Sequence, residues 1–180
     1  MSIIRGSLRS AIASYAGSGT KMVVLVIDEQ SGQIPENTLV AQISVLNKAA
    51  ELDIPIWLVE LNPSIIGGNP TPNRPTANAL AEFRSKIITK PHLNAFASNA
   101  HPNLHTELQK VGAQAIIVMG YHVNCCVKMT SVGGPDRPGG KVRPGATQLG
   151  YMVLTSAEVC RPFENAPWWS EPGVRFYEDF

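Results

Sequence analysis

Five aliphatic runs recur along this chain: MVVLVI at 22–27, IPIWLVE at 54–60, KIIT at 86–89, AQAIIVMG at 113–120 and GYMVLTS at 150–156. They are continuous Val, Ile and Leu stretches rather than alternating ones, the pattern of strands covered on both faces. The intervening segments have helix length. Leu39, Ile43, Leu46 and Ala50 follow helical spacing, and so do Leu104, Leu108 and Val111, with Asn103 placed as a cap and Gly112 as the stop. Strand alternating with helix predicts an α/β domain built on a mostly parallel sheet. VRFYEDF, 174–180, reads as a last edge strand, and residues 1–20 as an N-terminal helix or extension.

Two stretches interrupt this rhythm. Residues 62–78 are rich in Pro, Gly and Asn and read as a long loop. Residues 133–145, GGPDRPGGKVRPG, read as another, inserted where a helix should run on from Cys126. Neither is a repeat or a domain linker, and 180 residues suit a single domain, 1–180. A net charge of +1 without blocks of like charge excludes a nucleic-acid or anionic-membrane partner and favours a small molecule. The longest apolar run is far too short to span a bilayer. No acidic residue precedes Asp28, while Arg5, Arg9 and Lys21 sit among serines. That composition suits an organellar targeting segment, but an ordinary helix is the simpler reading. Three cysteines, two of them adjacent, make a poor disulfide framework and point to a reducing, cytoplasmic setting.

In parallel sheets ligands gather at the carboxyl ends of the strands. Asp28 ends the first run, Lys90 follows the third, and the Cys125–Cys126 pair follows the fourth after the turn GYHVN. Taken singly, each has a plain reading: a turn-capping aspartate, a surface lysine, a buried thiol. Together they form a coherent set. A thiolate is a strong nucleophile, a cation and a helix N-terminus lower its pKa, a carboxylate can carry its proton, and turn N–H groups can hold an oxyanion.

The ordered motifs VLVIDEQSG, IITKPHLNAF and VMGYHVNCCVKMTS resemble the isochorismatase-like cysteine hydrolases, which include nicotinamidases and N-carbamoylsarcosine amidases. The resemblance runs from about Met22 to Ser156. It implies a three-layer α/β/α fold on a six-stranded, mostly parallel sheet. It also implies a triad of Asp28 as base, Lys90, and Cys126 as nucleophile, forming a thioester on the way to C–N hydrolysis. Gln30 matches a polar position near the base; Gly120, Val127 and Thr130 complete the last motif. A cis peptide is implied at Tyr121–His122, with oxyanion donors at the N–H groups of His122 and Cys126. Cys125 falls at a variable position and is expected to point away, into the protein body.

Three departures accompany the match. Metal-binding nicotinamidases carry Asp and His in the loop after the second strand, whereas 61–80 holds no His, Asp or Glu, so no metal and no cofactor is expected. The 133–145 insertion breaks the helix after the nucleophile, and is expected to meet another subunit of a homo-oligomer or to fold over the site. The segment after LTSAE is short, with Cys160 unassigned. Phe96 and Met129 suit a small apolar pocket beside the thiol. His92, His101 and His105 read as surface or loop residues rather than ligands, Trp57 as core, and Trp168 and Trp169 as covering a core or subunit edge. The leading function is an amidohydrolase for a small carboxamide or ureido compound. Alternatives are an isochorismatase-type vinyl-ether hydrolase, whose members dispense with the cysteine, and a catalytically altered scaffold for binding or assembly.

Overall fold

The computed structural model describes residues 3–30, 33–62, 75–135 and 139–180. Its strands are β1 (Ile4–Ser7), β2 (Met22–Ile27), β3 (Ile56–Leu61), β4 (Lys86–Lys90), β5 (Ala115–Tyr121), β6 (Gly134–Pro135), β7 (Val142–Arg143), β8 (Met152–Ser156), β9 (Cys160–Arg161) and β10 (Val174–Asp179). The α-helices are α1 (Leu8–Gly17), α2 (Glu36–Glu51), α3 (Asn78–Ala81), α4 (Leu104–Lys110) and α5 (Lys128–Val132). The main sheet runs β1-β10-β8-β5-β2-β3-β4, with β9 added beside β5. Every pairing in it is parallel. No helix among the described residues is long and apolar enough to cross a membrane.

The five aliphatic runs form β2, β3, β4, β5 and β8, and every residue of β2 is buried. Among the described residues the sheet has eight strands rather than six. One addition is β1, an edge strand inside what reads as a helical N-terminus. It displaces the expected edge strand β10 to an interior place between β8 and β1. The other is β9. The β5–β8 pairing stops at Ile117↔Leu154, and β9 takes up the far end of β5 through Gly120↔Cys160 and Tyr121↔Arg161.

Helix α2 covers the sheet with a stripe rotated from the expected one. Thr38, Ala41, Gln42, Val45, Leu46 and Ala49 are buried, while Ala50 is exposed. A polar glutamine belongs to that inner face because its amide has buried partners. Helix α4 starts and stops as its sequence dictates: Asn103 accepts a hydrogen bond from Thr106 N at 3.1 Å, and Gly112 adopts φ 65°. The 133–145 stretch is not simply a loop. Gly133, at φ 80°, ends α5, and β6 and β7 then pair as an antiparallel hairpin. Of the 62–78 loop, residues 63–74 lie outside the described residues.

Candidate active site

The chain leaves β2 outward through β3 and β4, then returns to β5 on the other side of β2. The crevice between β2 and β5 is therefore the switch point where such sheets bind ligands. Asp28 stands just past β2 with φ 52°, a left-handed conformation that aspartate tolerates. Strand β4 is two places away, roughly 10 Å at normal strand spacing. Lys90, its last residue, bridges that span: Nζ donates to Asp28 Oδ2 at 2.8 Å and to His92 O at 3.0 Å. Only a long side chain can cross a neighbouring strand in this way. Lys90 is 0% exposed and Asp28 7%, so this ion pair is inside the protein.

Cys126, 6% exposed, completes the group and interacts directly with both the Asp28 carboxyl and Lys90. It is delivered by a π-helical turn, Val123–Val127, which leads into α5. In that turn the His122 carbonyl accepts from Cys125 N at 2.9 Å and Val127 N at 3.2 Å, skipping the N–H of Cys126. The Tyr121–His122 peptide is cis. Gly120 has φ 126°, and a Cβ there would fall 2.1 Å from Ile27 O, so only glycine lets β5 lie against β2 at this point. The expected lowering of the thiol pKa does not hold. Burial pushes Cys126 up to about 12, opposed by the charge of Lys90. Burial also raises the Asp28 carboxyl above its ordinary value, again opposed by Lys90. The outcome is a neutral thiol beside a strengthened base rather than a standing thiolate.

The neighbouring residues sort themselves by contact. Gln30 is tied to the end of β3, its Nε2 donating to Leu61 O at 3.1 Å and its Oε1 accepting from Leu61 N at 2.7 Å. Phe96 is buried, stacked on Tyr151 and edge-on to His105, and Met129 packs against Gly134. His105 is not simply a surface residue, since its Nδ1 hydrogen-bonds Tyr151 OH at 2.9 Å. Thr130 Oγ1 accepts from Ala95 N at 3.1 Å, docking the segment after Lys90 onto α5. Cys125 is partly buried, while Val123, Cys126 and Val127 are the buried positions of the turn. Cys160 is buried beside Thr155 at 3.4 Å. Among the described residues no group of three His, Cys, Asp or Glu side chains gathers to hold a metal.

Sequence reasoning passed over two contributors. Trp168 Nε1 donates to Val123 O at 3.0 Å and anchors the cysteine turn, a role with no local signal. Glu29, buried next to Asp28, pairs with Arg161. An acid flanked by VLVID and destined for burial was visible in the sequence, but its partner 132 positions away was not.

Fold and site together define a parallel α/β domain with a buried carboxylate, ammonium and thiol at its switch point. The sequence matches the Isochorismatase domain over residues 22–138, and the chain belongs to that family of isochorismatase-like hydrolases. No curated protein matches it by sequence. Solved structures resemble it in fold. A nicotinamidase from Staphylococcus aureus is 15% identical, with 88% of this chain and 99% of that one covered at a TM-score of 0.66. An isochorismatase family protein from Desulfovibrio vulgaris is 15% identical, with 88% and 94% covered at 0.64. N-carbamoylsarcosine amidase from Thermoplasma acidophilum is 12% identical, with 89% and 96% covered at 0.61.

Proposed function

We propose that this protein is a cysteine hydrolase that cleaves the C–N bond of a small carboxamide or ureido compound through a thioester on Cys126. The observation that carries this reading is the buried contact of Cys126 with the Asp28–Lys90 pair. As sulfur attacks the carbonyl carbon, Asp28 takes the thiol proton. Burial, by raising the carboxyl above its ordinary value, makes Asp28 a stronger base toward that proton. Lys90 holds Asp28 Oδ2 in place and offsets the negative charge that builds on the pair. The N–H groups of His122 and Cys126 receive the oxyanion. Asp28 then returns its proton to the departing nitrogen, and the amine or ammonia leaves. Water, deprotonated by Asp28, adds to the thioester and releases the carboxylic acid and the thiol. The vinyl-ether alternative gains nothing from a nucleophile held in this way.

An ammonia-release screen over nicotinamide, pyrazinamide, carbamoyl-amino acids, ureas and hydroxamates tests the reading, with Cys126→Ala as the blank. At least one compound should be turned over by the wild type and none by the variant. Equal rates for the two proteins would rule the mechanism out. Turnover should persist after EDTA treatment, because the 61–80 segment offers no His, Asp or Glu to a metal. Loss of activity restored by a divalent ion would contradict that.

A further inference from the structure

Behind the triad lies a second buried charged group that the mechanism does not use. Glu29, 0% exposed, follows Asp28 directly. Its Oε2 accepts from Arg161 Nε at 2.7 Å and from the Nη2 of the same guanidinium at 2.6 Å. Its Oε1 accepts from Gln42 Nε2 at 2.8 Å, and that amide also donates to Val159 O at 2.9 Å. Arg161 in turn sits with its guanidinium carbon 4.7 Å from the centre of the Tyr121 ring. Its backbone is the β9 partner of Tyr121 at the end of β5.

A buried ion pair is a weak source of stability, since apolar residues of the same volume often do as well or better. Geometry is the stronger reason for this one. The carboxylate is fixed to the residue after the base, and the guanidinium lies over the residue that opens the His122–Cys126 turn. We propose that Glu29 and Arg161 are positioning residues, a strut that sets the distance between Asp28 and the turn carrying Cys126. β9, the strand that takes over from β8 at this height, is what brings the arginine there. The proposal rests on the triad reading above. It adds that the register of base against nucleophile is held from behind by charge and ring stacking.

The test follows the rate of Cys126 alkylation by iodoacetamide against pH, read by peptide mass spectrometry, alongside thermal melting. Four proteins are compared: wild type, Asp28→Asn, Arg161→Lys, and the paired apolar replacement Glu29→Leu with Arg161→Met. The paired variant leaves no buried charge unpartnered and should melt close to the wild type. Its Cys126 should nevertheless label about ten-fold more slowly at neutral pH, because a small misplacement of the base is costly. The acid limb of its profile should also move, which a merely structural role would not produce. Arg161→Lys keeps the charge but loses the planar fork and the stack, so its rate should fall between those of the wild type and the paired variant. A folded paired variant with the wild-type rate and profile overturns the strut. If that variant does not fold, an unchanged profile in Arg161→Lys overturns it instead. Wild-type protein whose Cys126 labels no faster than that of Asp28→Asn overturns the triad reading and the strut with it.

Discussion

Of the two adjacent cysteines, only Cys126 touches groups that can move its proton. Cys126→Ala should therefore abolish turnover and labelling at that position while circular dichroism and melting stay near wild type. Cys125→Ala should keep most activity and cost at most about 1 kcal/mol in a denaturant titration, since the side chain is only partly buried. The pH dependence follows from Asp28. Its carboxyl is raised by burial, so the reactive carboxylate should be lost as pH falls through a value above the ordinary 3.8. Above that value the rate should level off, before the thiol itself ionises near 12. In Asp28→Asn that acid limb and plateau should vanish, and a rate profile that keeps them would remove the carboxylate from the mechanism. Asp28, Lys90 and the Cys125–Cys126 pair could be read from strand ends in the sequence, and the choice of Cys126 from the family resemblance. The direction of the thiol pKa could not, because desolvation depends on the surrounding atoms rather than on the motif.

Among the elements, the contact of β2 with β5 tolerates least. Gly120→Ala would force a Cβ against Ile27 O in a backbone conformation that side chains avoid, at a cost of roughly 3–5 kcal/mol. Trp168→Phe removes the donor to Val123 O and should cost about 1–2 kcal/mol, with a larger fractional loss in activity as the cysteine turn loosens. Helix α4 is clamped to β4 through Glu107, which meets Lys110 and Lys86 and is thereby held down to about 2. A depressed carboxyl lends stability above its ordinary 4.5 and forfeits it as pH falls toward 2. The acid limb of a melting-temperature profile should accordingly flatten in Glu107→Gln. Elements with continuous aliphatic runs or sharp caps were legible: β2, β3, β5 and α4. The two-residue β9 was not, since nothing local distinguishes Cys160–Arg161 from loop until its long-range partners are known. The inner face of α2 departs from the aliphatic stripe Leu39, Ile43, Leu46 and Ala50, since Gln42 lies on it with its amide serving Glu29 and Val159.

At the scale of the whole molecule, the hairpin after α5 is rooted rather than loose. Asn94 Nδ2 donates to Pro144 O at 2.9 Å, and Ala146 N to Thr130 O at 2.8 Å, so its base grips both the segment after Lys90 and α5. Val142 on its far strand is 71% exposed. Replacing residues 134–143 with a short linker should raise KM or reduce the oligomer size seen by light scattering. If neither changes, the hairpin is a tolerated decoration. The neighbouring places of β1 and β10 bear on how the chain is made. Ile4 and Val174 are 170 residues apart, yet their strands pair side by side. At ribosomal speeds the first strand waits roughly ten to thirty seconds for the second to be synthesised. Throughout that interval β1 lacks its partner, and once β8 is made its outer edge is bare until β10 arrives. A nascent chain halted before Val174 should consequently be captured by chaperones or aggregate, whereas release of β10 pairs it with β8 on one side and β1 on the other.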